Sequence, residues 1–271
     1  MPVSLSASHP QRIVCLTEES TETLYLLGEE ERIVGISGFT VRPPRARKEK
    51  PKVSAFLSAK TSKIEDLKPD LIIGFSDLQA DIAADLIRKG LNVLVFNQRS
   101  VGEILDMILT LSSLIGAEEK GRKLISELES NLQEIQSAAN SRKRKPKVYF
   151  EEWDDPLISS ISWVSELVTI AGGEDCFPEL SNQSLGKDRI IADPQEVINR
   201  NPDIIIGSWC GKKFRAERVA ERKGWQNISA VSNGHLHEIK SANILQPGPA
   251  ALTDGVIQLS AIINQWHESS T

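Results

Sequence analysis

The sequence predicts an α/β fold of two lobes, each built on a mainly parallel, doubly wound sheet, joined once by a long α-helix. Three observations predict it. An octapeptide is written twice, as LKPDLIIG at residues 67–74 and as RNPDIIIG at residues 200–207. The same order surrounds both copies, over residues 12–75 and 147–209: strand, loop, helix ending in glycine, short helix, Pro-Asp, apolar strand, polar loop. Between the repeats, residues 101–141 contain no proline, and Leu124, Ile125, Leu128, Leu132 and Ile135 recur at helical spacing with charges between them.

The elements follow in chain order. RIVCL (12–16) is apolar and strand-sized, and Ser20 and Gly28 can cap and stop the short helix after it. RIVGIS (32–37) is the next strand, and the basic, proline-rich VRPPRARKEKPKVSAF (41–56) reads as a surface loop. A helix over 61–67, a strand over 71–75, a helix over 81–89 ended by Gly90 and a strand over 92–97 complete the first lobe. Helices over 104–115 and 117–139 lead to a second series: a strand at 147–152, a helix at 162–173, a short helix in ADPQEVINRN, the strand DIIIGSW, the strand GHLHEI and a closing helix from ALTDG to Trp266. The expected division is residues 1–100, a helical segment 101–146 and residues 147–271. Strands alternating with helices through short connections imply parallel sheets.

Composition excludes several classes. The chain has 271 residues, 40% hydrophobic and 25% charged, with a net charge of −5. That balance argues against nucleic acid or an anionic membrane as the main partner. The basic run RKRKPK (142–147) reads as a solvated linker. Cys15, Cys176 and Cys210 form no CxxC or CxxH spacing, which speaks against cysteine-bound zinc and a disulfide framework. Apolar runs are strand-sized, so no segment spans a membrane. The stretch MPVSLSASHPQRIV has neither the basic nor the long apolar region of a secretory signal. The expected location is therefore cytoplasmic, or periplasmic or lipid-anchored if the sequence is a trimmed form.

Open parallel sheets bind ligands beyond the carboxyl ends of their strands. Rings and polar groups cluster at those positions: Glu18, Glu19, Phe39, Phe56 and Phe75 in the first half, and Glu152, Trp153, Trp163, Trp209, Cys210 and Gln246 in the second. These are the candidate ligand-binding residues of a ring-lined cleft between the lobes, with Trp225 and Trp266 assigned to structure. Any single ring has an equal claim to core packing. Catalytic constellations are missing: there is no GxSxG, no HExxH and no glycine-rich phosphate loop. His235 and His237 alternate on a strand and share a face, which makes them weak metal candidates without a third ligand. The carboxylates around Glu151 and Glu152 read either as a polar rim or as a general acid/base pair.

The pieces RIVCLTEESTETLYLLGEEERIVGIS, KIEDLKPDLIIG, EEWDDPLISSISWVSELVTIAGGED and PQEVINRNPDIIIG resemble the substrate-binding proteins of ABC importers for vitamin B12, siderophores and haem, in the vitamin B12-binding branch. The resemblance implies two Rossmann-like lobes, a helical backbone and a corrinoid such as cobalamin held in the cleft, without catalysis. Transport members of that family place a glutamate at the start of the short helix before each Pro-Asp strand, for docking to the permease. Here those positions read Ser62 and Gln195. With no leader and no docking acids, the expectation is cytoplasmic sequestration or hand-off of a corrinoid rather than delivery to a permease. The alternatives are an importer component for cobalamin, a ferric siderophore or haem, and a two-lobed enzyme acting on a tetrapyrrole. Tyr25 and Tyr149 are the only tyrosines available to ligate iron, and Arg42, Arg45 and Arg47 the main cations for an anionic siderophore.

Overall fold

The computed structural model describes residues 8–269. The chain divides into two units, one running to Gln98 and resuming over Gly102–Glu127, the other comprising Arg99–Val101 and the chain from Leu128 onward. The helical segment 101–146 is thus shared between the units, with the boundary inside its long helix.

The first unit holds a five-stranded sheet of β1 (Ile13–Cys15), β2 (Ile33–Ser37), β3 (Lys52–Ser54), β4 (Leu71–Phe75) and β5 (Val93–Phe96), in the order β3-β2-β1-β4-β5. Every pairing is parallel. Strands fully buried in such sheets read as continuous aliphatic runs, as IVC and LIIGF do here. β3 lies inside the stretch read as a proline-rich surface loop. It is an edge strand of three residues, too short to show an alternating pattern, and α2 (Ala46–Glu49) precedes it.

α1 (Glu18–Leu26) is buried from Glu18 to Tyr25 although most of it is polar. Its hydroxyls satisfy themselves against the backbone: Thr21 Oγ1 donates to the Thr17 carbonyl at 3.0 Å and Thr23 Oγ1 to that of Glu19 at 2.7 Å. Gly28 takes φ +67° just past the helix end, a left-handed conformation that glycine adopts without steric cost. α3 (Thr61–Asp66) and α4 (Ala80–Arg88) pack through Ile64, Ile82 and Leu86 on a core of Val14, Leu16, Val53 and Ile72. α5 (Val101–Leu114) and α6 (Glu118–Asn140) follow. At 23 residues α6 is about 35 Å long by helical rise; Leu128 and Leu132, two of its periodic apolar residues, are buried.

The second unit's sheet runs β10 (Leu236–Glu238), β9 (Ile204–Gly207), β6 (Lys147–Asp154), β7 (Leu157–Ser159), with β8 (Glu174–Asp175) also on β6. β6, β9 and β10 are parallel, whereas β7 folds back antiparallel on β6. The helices are α7 (Ser162–Ile170), α8 (Pro178–Ser181), α9 (Gln195–Arg200), α10 (Ala216–Ala220), α11 (Ser229–Ser232), α12 (Ser241–Ile244) and α13 (Val256–Ser269), the last entered through a π-turn at Ala251–Gly255. The core is aromatic. The Tyr149 ring meets Phe177 edge-on at 5.6 Å and Trp225 at 6.1 Å, geometry that adds to simple burial.

Candidate ligand site

In the first unit the strand order reverses between β1 and β4, so the crevice beyond their carboxyl ends is a topological switch point. Gln79 fills its floor. The side chain is buried, accepts from the Phe75 amide at 3.0 Å and donates to the Phe56 carbonyl at 2.9 Å, tying the loops after β3 and β4 together. The loop after β2 is fixed too. Arg47 donates to the Gly38 and Thr40 carbonyls at 2.9 and 3.1 Å, and the Val41 and Arg42 amides bond the Glu18 carboxyl.

On this fixed frame stand exposed apolar side chains. Phe39 is 65% exposed, Val41 40%, Leu57 67% and Leu78 46%, and each lies in a loop that leaves the carboxyl end of β2, β3 or β4. They are four of the nine exposed large hydrophobics among the described residues, gathered at one edge of one sheet. Scattered exposed hydrophobics need no explanation; a group built on pinned loops at a switch point is a candidate for a binding surface. Phe56 is half-buried beside them, whereas Phe75 points into the core at 5% exposure. A cavity of about 210 Å³ adjoins the carboxyl end of β5, lined by Phe96, Asn97, Gln98, Glu103 and Met107. A groove of about 700 Å³ lined by Leu71, Leu94, Leu109 and Leu114 begins at the amino end of β4, away from the strand tips.

Glu18 and Glu19 are buried beneath this surface. Burial pushes the Glu18 carboxyl up to about 8, with the Glu22 and Glu19 carboxylates adding to it against the Val41 and Arg42 amides. Its Oε1 has no hydrogen-bond partner among the described residues. The three arginines weighed for an anionic siderophore are engaged within the unit: Arg42 with Glu22 at 2.8 Å, Arg45 with Glu30 at 2.6 Å, and Arg47 with the two carbonyls. Tyr25 donates to Glu49 at 2.7 Å and Tyr149 is fully buried, so neither hydroxyl is presented to a ligand's metal.

The strand tips of the second unit are polar and aromatic. Trp153 is partly exposed at the end of β6, its Nε1 donating to the Asp155 carbonyl at 2.9 Å. Trp209, read from the sequence as an open ring, is instead 3% exposed. Its Nε1 donates to Glu151 Oε1 at 3.0 Å and its ring packs edge-on against Phe214 at 5.0 Å. Glu151 is fully buried and takes two bonds from Arg222 at 2.6 and 2.9 Å, with the Tyr149 hydroxyl at 3.1 Å. Trp163 is likewise core, its Nε1 capping the Ile244 carbonyl at 2.8 Å. Glu152 is held by the buried Arg189 at 2.6 and 3.1 Å. A carboxylate clamped in this way is a structural ion pair. Cys210 is exposed and Gln246 half-buried.

The loop after β9 supplies a residue that the sequence did not single out. Lys212 Nζ bonds both oxygens of Asp154 at 2.6 and 2.7 Å and lies 5.2 and 5.0 Å from the ring centroids of Trp153 and Trp209. Trp153, Asp154, Trp209 and Lys212 therefore form one cluster. His237 lies on β10 and His235 just before it, away from this cluster, with their rings stacked at 6.2 Å; burial, then the neighbouring His235, holds His237 below the usual imidazole range. No group of three or more His, Cys, Asp or Glu residues able to hold a metal occurs among the described residues. Ser62 and Gln195 sit exposed on the first turns of α3 and α9.

The periplasmic binding protein family matches residues 13–242. An uncharacterised ABC transporter substrate-binding lipoprotein, YvrC of Bacillus subtilis, is 26% identical over 94% of this chain and 80% of its own length. The vitamin B12-binding protein of Vibrio campbellii is 26% identical over 88% and 84%. Among solved structures, a possible iron-binding periplasmic solute-binding protein of Staphylococcus epidermidis superposes with a TM-score of 0.81 at 23% identity, covering 94% of this chain and 99% of that one. The periplasmic vitamin B12-binding protein BtuF of Vibrio cholerae gives 0.76 at 23%, covering 96% and 99%. These similarities overturn the expected cytoplasmic location: a lipoprotein and periplasmic proteins point outside the cytoplasm. The composition of the first residues was too weak a basis for that expectation. With the match spanning most of its length, this chain is a member of the periplasmic binding protein family.

Proposed function

We propose that the protein is a non-catalytic carrier of a corrinoid of the vitamin B12 type, which it presents to the permease of an ABC importer. The observation that carries this reading is the uncovered apolar surface of Phe39, Val41, Leu57 and Leu78 on the strand tips of the first unit. A corrin is a broad disc with apolar faces and amide arms, and four aliphatic and aromatic side chains on pinned loops suit such a face. Relatives named for vitamin B12 binding support the choice of ligand, and the ABC transporter relative supports the permease. Haem is the less favoured ligand, because both tyrosines are committed to protein contacts. The carboxylates of the second unit that suggested acid/base chemistry are held in ion pairs, which favours binding over catalysis.

Purified protein mixed separately with cyanocobalamin and with haemin, then desalted, tests the reading. One equivalent of retained cobalamin, seen in its visible spectrum, is the expected result. Retained haemin with no retained cobalamin would replace the corrinoid by haem, and retention of neither would remove the tetrapyrrole reading.

A further inference from the structure

The ion pair between Asp154 and Lys212 has a geometry that a purely structural role does not require. An ammonium carries three N–H donors. Two of those on Lys212 go to the two oxygens of Asp154, at 2.6 and 2.7 Å, and no other acceptor among the described residues is bonded to Nζ. The lysine side chain remains 36% exposed and that of Asp154 12%. The ammonium also lies over the rings of Trp153 and Trp209, whose π-faces favour a cation there. Trp153 is itself held by its bond to the Asp155 carbonyl. Two residues from different strand ends, 58 positions apart, thus present a spare N–H donor and the remaining lone pairs of a carboxylate side by side. As a device for stability, a partly exposed pair of this kind contributes little.

We propose that the Asp154–Lys212 pair recognises a primary carboxamide and selects amide-bearing macrocycles against carboxylate-bearing ones; this rests on the corrinoid reading above. A carboxamide offers a C=O acceptor and an N–H donor side by side, which matches the donor and acceptor of the pair. A carboxylate offers only acceptors. It would find the lysine charge already taken up and the Asp154 charge against it, and repulsion between like charges in a partly desolvated site is a strong rejecting element.

The test compares two probes with the same corrin ring, dicyanocobinamide with its amide arms and dicyanocobyrinic acid with carboxylates in their place. Binding is measured by absorbance titration on wild type, Asp154→Asn and Lys212→Met, with circular dichroism to confirm the fold. Wild type is expected to prefer the amide ring at least tenfold. Asp154→Asn is expected to reduce that preference at least tenfold, through tighter binding of the acid. Lys212→Met is expected to weaken the amide ring without helping the acid. Both rings bound, with the same ratio in wild type and in both variants, overturns the inference and leaves the corrinoid reading standing. No binding of either ring by wild type overturns both.

Discussion

Raising the pH from 5 to 8 should weaken the fold, and Glu18→Gln should remove that loss. Glu18 is 6% exposed and its carboxyl is pushed up to about 8, against about 4.3 in an unfolded chain. Between those two values the folded state holds a proton that the unfolded state has released. The stabilisation is therefore complete below pH 4 and is lost as the pH rises towards 8. Each pH unit inside the window costs about 1.4 kcal/mol, so the step from pH 5 to 8 costs on the order of 3 kcal/mol. That is a large share of the roughly 5–15 kcal/mol that holds a domain together. Glutamine still accepts from the Val41 and Arg42 amides but cannot ionise beside Glu19 and Glu22. Urea denaturation of both proteins at unit steps from pH 5 to 9 gives the difference directly. Other titrations, such as that of the depressed His237, are common to both and cancel. A difference in stability that stays flat from pH 5 to 8 would refute the reasoning.

Three further substitutions test the second unit. Arg222→Met leaves the fully buried Glu151 without its countercharge; the expected loss is about 3–5 kcal/mol in urea denaturation, and a loss under about 1 kcal/mol would contradict a structural role. Trp209→Ala should cost about 3–5 kcal/mol by opening the core around Phe214 and Val219, so an unchanged melting temperature would return this ring to the surface. Gly207→Ala places a methyl group 1.9 Å from the Phe214 ring; overpacking of about 1–3 kcal/mol should follow, visible as a lowered melting temperature, and a neutral result would mean that the ring moves freely.

The sequence made the sheets legible because parallel strands buried on both faces declare themselves as aliphatic runs, and both Pro-Asp repeats lead into such strands, β4 and β9. β3 and β7 escaped because three residues are too few to show a period; what defines them is pairing with β2 and β6, which local pattern does not encode. The candidate surface of the first unit has a local sequence signal. Phe39 stands in a polar loop after an apolar strand, and Leu57 and Leu78 could have been found by the same signal. The surroundings of Trp209 and Glu152 were not legible because their neighbours come from far along the chain: Trp209 bonds Glu151, which Arg222 neutralises from 71 positions away, and Arg189 reaches Glu152 from 37. Lys212 lies two residues after the candidate Cys210, but only the fold brings it to Asp154.

The most direct measurement is a calorimetric titration of cyanocobalamin into wild type and into the double variant Phe39→Ser/Leu57→Ser. Both side chains are about two-thirds exposed, so the fold should be unaffected. Covering them partly with a ligand is worth about 2 kcal/mol, and the variant should bind roughly thirtyfold more weakly. Equal affinity in the two proteins, with equal melting temperatures, would contradict a ligand face on the strand tips of the first unit.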